Sequence, residues 1–69
     1  MNLFKSVRAM CRKKSVPVSR VEKDCGFGSN SIRRWGDHEP SISKVKAVAD
    51  YLNVSVDELI EMGEILDED

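Results

Sequence analysis

The chain has 69 residues, of which 41% are hydrophobic and 33% charged. This balance is typical of a globular domain and excludes a disordered chain. A chain this short has room for one domain with a single core, and little room for a deep enzyme cleft. It contains no apolar run of about 18 residues and no secretory signal pattern, so we expect a cytoplasmic protein outside the membrane.

The charged residues are distributed unevenly along the chain. Residues 1–38 contain nine Lys or Arg and three Asp or Glu, a net charge of +6, whereas residues 39–69 contain two and nine, a net charge of −7. The overall net charge of −1 hides this asymmetry. A basic half of this kind favours a localised binding face for a polyanion over general surface attraction.

Cysteine and histidine usage argues against metal or catalytic chemistry. Cys11 and Cys25 lie at apolar-pattern positions, which predicts buried, reduced thiols. His38 is the only histidine, and the cysteines have too few further ligands near them for a zinc site. No nucleophile is paired with a base by position, so we expect no enzyme activity, no cofactor and no metal.

The spacing of apolar residues predicts an all-α protein with no strand. Pro17 suits the start of a helix, Gly26 and Asn53 suit left-handed residues after helices, and Ser41 is a candidate N-cap. Ser55 with Glu58 three residues later matches a capping box. The five predicted helices run over about residues 2–14, 18–25, 29–35, 42–52, and from 56 to about 62 or 66.

Residues 18–35 carry the most informative pattern: an apolar helix, a glycine, an apolar residue, small polar residues and a second helix. Two helices joined by a short glycine-containing turn form a helix-turn-helix. In this interpretation the outward face of the second helix suits a major groove, because Asn pairs with adenine and Arg with guanine. The pattern alone leaves open an ordinary packing unit with a solvated polar face. The predicted core of the motif is Val21, Cys25, Gly26, Phe27, Ile32 and Trp35. The predicted outward face is Ser29, Asn30, Arg33 and Arg34.

Three segments together resemble a known family. "VRAMCRKKSVPVS", "SRVEKDCGFGSNSIRRW" and "PSISKVKAVADYLNVSVDELI" are similar in layout to the Cro/repressor-type (XRE) helix-turn-helix family, in particular to short phage-repressor-like regulators of Gram-positive bacteria. The resemblance covers about residues 3–62 and leaves residues 63–69 as an acidic end. It implies a single five-helix, lambda-repressor-like DNA-binding domain.

The resemblance also implies roles for individual residues. Bases of a duplex DNA operator would be contacted by Ser29, Asn30, Arg33 and Arg34, and phosphates by Ser19, Arg20 and His38. The sequence departs from the family at Gly28, where a Ser or Thr cap is common, and at Asp37, a negative charge in a loop that faces the DNA backbone. We expect a transcriptional repressor acting as a homodimer on a two-fold site, either a short Cro-like protein or the DNA-binding part of a longer one. The alternative is an antirepressor or partner-binding module that uses the same scaffold for a protein contact.

Overall fold

A computed structural model describes the backbone of residues 2–67 and the side chains of residues 2–62. Within residues 2–67 the chain is all-α, as predicted, and contains no strand. No helix in that range is long and apolar enough to cross a membrane. The predicted acidic end, residues 63–69, has its side chains outside the described residues. The helices are α1 (Leu3–Lys14), α2 (Val18–Asp24), a 3₁₀ helix (Arg33–Gly36), α3 (Ile42–Tyr51) and α4 (Val56–Asp67).

Helix α1 begins and ends with side-chain and backbone caps. The Asn2 side chain accepts a hydrogen bond from the Lys5 N–H at 3.1 Å, which satisfies one of the free donors of the first turn. Ser15 ends the helix in the left-handed conformation, with φ of 59°. The N–H of Val16 then donates to the Cys11 carbonyl at 2.9 Å. These caps explain why the helix ends at Lys14, three residues before Pro17.

Helix α2 follows Pro17 directly. The extended backbone of Pro17, with φ of −66°, provides the N-cap position without a side-chain cap. At the other end, Gly26 has φ of 78°, so the predicted left-handed glycine is confirmed. The Phe27 N–H donates to the Glu22 carbonyl at 2.8 Å and turns the chain away from the helix axis.

The predicted third α-helix is wrong in type and extent. Residues 29–32 form turns, and only Arg33–Gly36 is helical, as a single 3₁₀ turn. Asn30 has φ of 66°, which no right-handed helix accommodates. The small polar residues Ser29 and Ser31 also have modest helix propensity, and the Ser31 hydroxyl donates instead to the Gly28 carbonyl. We name residues 25–32 the turn segment.

Helices α3 and α4 agree with the prediction except at one cap. Ser41 precedes α3, but its side chain caps no backbone N–H and instead contacts the Ser43 hydroxyl at 3.2 Å. Asn53 is left-handed, with φ of 60°, as predicted. The capping box is confirmed, because the Glu58 N–H donates to Ser55 Oγ at 3.0 Å and the Ser55 N–H donates to Glu58 Oε1 at 3.1 Å.

The core lies between α1, α3 and α4 and extends to the 3₁₀ helix. Helix α1 packs along α4 and also against the 3₁₀ helix, where Gly36 lies close to the Asn2 and Phe4 side chains. The core therefore joins Ile32, at the C-terminal end of the turn segment, to helices α1, α3 and α4. Its buried apolar residues are Val7, Met10, Cys11, Val21, Ile32, Trp35, Val45, Val48, Ala49, Leu52 and Leu59.

Candidate nucleic-acid interface

The predicted base-contacting residues lie on the turn segment and the 3₁₀ helix. The side chains of Ser29, Asn30, Arg33 and Arg34 are all exposed. A 3₁₀ helix has three residues per turn, so the consecutive Arg33 and Arg34 point about 120° apart. The four residues therefore point in different directions and do not form a single helical stripe. We name the surface formed by Ser29, Asn30, Arg33 and Arg34 the exposed corner.

A shallow groove of about 310 Å³ connects this corner to helix α2. Ser19 and Lys23 of α2 line one side, Ser29 lines the other, and Glu22 and Phe27 contribute to the lining. The structure thus brings the predicted phosphate contact Ser19 close to the predicted base contact Ser29. Lys23, which the sequence prediction omitted, adds a positive charge at the same groove.

Arg20, another predicted phosphate contact, is held by its own helix. Its Nε lies 3.3 Å from Asp24 Oδ2 in an exposed ion pair one helical turn along. Asp24 also accepts a hydrogen bond from the Tyr51 hydroxyl of α3 at 2.5 Å. This bond lowers the pKa of the Asp24 carboxyl, with smaller contributions from Arg20 and Lys23, and raises the pKa of the Tyr51 hydroxyl. Asp24 is therefore ionised at neutral pH and pairs with the Arg20 guanidinium at the surface.

His38 lies outside the groove. Its side chain is exposed in the loop after the 3₁₀ helix, next to the exposed Asp37. The His38 N–H donates to the Arg34 carbonyl at 2.9 Å, which ties the start of this loop to the 3₁₀ helix. Of the predicted phosphate contacts, only Ser19 lines the groove.

The apolar residues of the predicted motif core lie beneath the exposed corner and are buried or half-buried. Val21, Ile32 and Trp35 are buried. Cys25 and Phe27 are half-buried and pack against the core, and the Phe27 and Trp35 rings lie 6.1 Å apart at an interplanar angle of 55°. This tilted aromatic pair fixes the angle between the turn segment and the 3₁₀ helix.

Glu22 is a second residue of the candidate site that the sequence prediction missed. It is only 7% exposed, although it is a carboxylate on a short helix. Its Oε2 accepts the Ile32 N–H at 3.0 Å and its Oε1 accepts the Asn30 N–H at 3.3 Å. Glu22 lies between the apolar-pattern positions Val21 and Cys25, and no local spacing rule reveals a partner eight to ten residues away.

No protein-family model, curated protein or solved structure matches the chain. The family resemblance of the sequence therefore stays a prediction. The functional assignment depends on the exposure, charge and hydrogen bonding of the residues described above.

Two free thiols, Cys11 and Cys25, lie among the described residues. Burial raises the pKa of both thiols, Cys11 and Cys25, so both stay protonated and weakly nucleophilic at neutral pH. Among the described residues, no group of three or more His, Cys, Asp or Glu is placed to hold a metal ion. What the exposed corner offers chemically is hydrogen-bond donors and positive charge.

Proposed function

We propose that the chain is a sequence-specific duplex-DNA-binding transcriptional regulator, a cytoplasmic repressor of the Cro type. The observation that carries the proposal is the exposed corner itself: Asn30, Arg33 and Arg34 lie outside a buried base of Ile32 and Trp35. Residues 25–36 include no acidic residue, and Asp37 follows them directly in the loop after the 3₁₀ helix. Asparagine and arginine are the side chains that pair bidentately with adenine and guanine in the major groove.

In this proposal the 3₁₀ helix is the third helical element of a five-helix, lambda-repressor-like domain. Helix α2, the turn segment and the 3₁₀ helix then form a helix-turn-helix whose second helix is a single turn. A shortened element reads few bases, so we propose that two copies bind a two-fold operator. Two half-sites multiply the specificity that one corner provides.

Contacts with the DNA backbone are proposed for the groove and its surroundings. In this proposal Ser19 and Lys23, which line the groove, bind a phosphate, and Ser29, which lines the same groove, contacts the bases. Arg20 and His38 are proposed as flanking phosphate contacts on either side. Such contacts fix register without reading sequence.

The test is selection from a random duplex-DNA pool at near-physiological salt. We expect an enriched palindrome, and its half-site spacing will give the geometry of the dimer. Arg34→Ala should weaken binding to the selected site by about 1–3 kcal/mol and relax base choice at one position of each half-site.

The matched control is the Lys13→Ala/Lys14→Ala variant, compared with Arg33→Ala/Arg34→Ala. Both remove two exposed positive charges, but Lys13 and Lys14 lie at the end of α1 where they act on Glu58 of α4. We expect the control to lower affinity uniformly across sequences and to keep base preference. Equal losses of base preference in the two variants would contradict the proposed reading surface. Absence of any enrichment by folded protein would favour the partner-binding module instead.

A further inference from the structure

We propose that Glu22 is the positioning residue of the turn segment, and that its carboxylate sets the direction in which Asn30, Arg33 and Arg34 face their ligand. The structural half of this inference concerns the free protein. Its consequence for base selection rests on the proposed DNA-binding function.

The Glu22 carboxylate accepts two backbone hydrogen bonds from the turn segment. Both oxygens of Glu22 are used, one by the Ile32 N–H at 3.0 Å and one by the Asn30 N–H at 3.3 Å. Hydrogen bonds to a charged acceptor are about twice as strong as neutral ones. Because Glu22 is 7% exposed, water has little opportunity to replace either bond.

Of the two residues, Ile32 is also held by its buried side chain, whereas Asn30 is exposed. Residues 29–32 lack a helical hydrogen-bond ladder, and Asn30 is in the left-handed conformation. The Asn30 carbonyl accepts the Arg34 N–H at 3.2 Å, so the position of Asn30 is transmitted to the 3₁₀ helix. A displacement of Asn30 would therefore move the backbone that carries both arginines.

The N–H groups at the start of a helical element generally favour a nearby phosphate. In the structure the Asn30 and Ile32 amides already donate to Glu22. An internal carboxylate thus takes the position of an external anion, and base selection at this corner relies on side chains.

The test compares Glu22→Gln with two controls. Glutamine keeps the size of the side chain but presents one acceptor oxygen and one NH₂ donor, so it can satisfy only one of the two amides. Glu61→Gln removes a charge from an exposed position of α4, and Val48→Ala weakens the core away from the turn segment. Amide hydrogen exchange of the free protein and the ratio of specific to non-specific DNA binding are measured for each variant.

We expect Glu22→Gln to speed exchange at Asn30 and Ile32 by about tenfold or more relative to the α3 amides. We also expect its specificity ratio to fall by roughly tenfold, since correct placement of a bidentate side chain is lost. Val48→Ala should speed exchange throughout the protein and keep the ratio, and Glu61→Gln should change neither.

A chemical rescue separates positioning from general stability. In Glu22→Ala, formate can enter the space of the missing carboxylate and should restore protection at Asn30 and Ile32, whereas chloride at equal ionic strength should not. Should this variant be unfolded, Glu22→Gln alone decides the question.

Unchanged exchange at Asn30 and Ile32 in Glu22→Gln would overturn the inference, as would lost protection with an unchanged specificity ratio. If the wild-type protein selects no DNA sequence, the proposed function fails, and the exchange and rescue measurements still decide whether Glu22 positions the turn segment.

Discussion

Helices α1 and α4 are held together differently from the part of the chain between α2 and α3. The two long helices pack side by side through buried aliphatic residues such as Val7 and Leu59. The turn segment and the 3₁₀ helix contribute Ile32 and Trp35 to the buried core, and beyond that they depend on individual contacts such as the Glu22 carboxylate and the Phe27–Trp35 ring pair. Stability is therefore spread over many contacts in the helical scaffold and concentrated in few at the exposed corner.

The largest expected effect comes from the scaffold. Leu59 is fully buried, so Leu59→Ala should lower the free energy of unfolding by about 2–5 kcal/mol through lost burial and a cavity. Urea denaturation followed by circular dichroism measures this loss. Ile42→Ala is the control, because Ile42 is 73% exposed and should cost little. Comparable losses in the two variants would show that the packing of α4 is not what holds the scaffold.

A smaller loss of stability is expected at the corner. Phe27 is half-buried, so Phe27→Ala should cost about 2 kcal/mol, roughly half the value for a fully buried phenylalanine. The Phe27→Leu variant keeps apolar volume and should recover most of that loss. Methyl NMR shifts should change at Ile32 and stay constant at Leu59. Equal shift changes at Ile32 and Leu59 would contradict the distinction between the exposed corner and the long helices.

A further prediction concerns the contribution of the α4 capping box to the stability of the long helices. Ser55→Ala removes the acceptor of the Glu58 N–H and should cost about 1 kcal/mol. The Ser55 N–H, and to a smaller extent the Ser55 side chain, lower the pKa of Glu58. Ser55→Ala keeps the N–H, so NMR titration should find the Glu58 pKa only slightly closer to the ordinary 4.5. Ser43→Ala is the comparison, since the Ser43 hydroxyl bonds the neighbouring Ser41 hydroxyl. A Glu58 pKa that returns fully to 4.5 would contradict the N–H as the main cause, and one that does not move would contradict the side-chain contribution.

The smallest effect is expected at the link between α2 and α3. The Tyr51 hydroxyl lowers the pKa of Asp24 below its ordinary 3.8, and its own pKa rises above 10.0. Because the pKa of Asp24 is lowered, the bond stabilises the folded protein at pH values above the ordinary pKa of Asp24. This stabilisation is lost as the pH falls through the folded-state pKa of Asp24. Because the pKa of Tyr51 is raised, the bond stabilises the folded protein at pH values below the ordinary pKa of Tyr51. This stabilisation is lost as the pH rises through the folded-state pKa of Tyr51.

Tyr51→Phe should therefore differ from wild type by a constant amount between about pH 4 and pH 10, and the difference should shrink on both sides. Urea denaturation at several pH values measures it. When Tyr51→Phe is made in an Asp24→Asn background, the difference in the free energy of unfolding that it causes should not change with pH below about pH 4.

Local chemistry accounts for what was predictable. The bounds of α1, α3 and α4 follow from apolar spacing and from neighbouring residues such as Pro17, Asn53 and Ser55, each of which acts within a few positions. The prediction of a third α-helix over residues 29–35 failed because Asn30 is left-handed and Ser31 bonds back to the Gly28 carbonyl. The bond between Tyr51 and Asp24 joins residues 27 positions apart, a distance at which periodicity carries no information.

The candidate site was predictable in its residue types and not in its geometry. The exposed polar residues of the corner were identified from their position after Gly26. Their spread around a 3₁₀ turn, and the anchoring by a buried carboxylate, depend on contacts made only after α2 and the turn segment have folded together. The same is true of the groove that brings Ser19 and Ser29 together.

Trp35 is the chain's only tryptophan, 6% exposed and paired with Phe27 at the base of the corner. Its fluorescence is therefore an intrinsic optical reporter of this one region, whereas the far-ultraviolet signal comes mainly from the three long helices. The protein carries separate spectroscopic labels for its two regions without any chemical modification. Local opening of the corner before global unfolding would appear as a fluorescence change that precedes the loss of helicity.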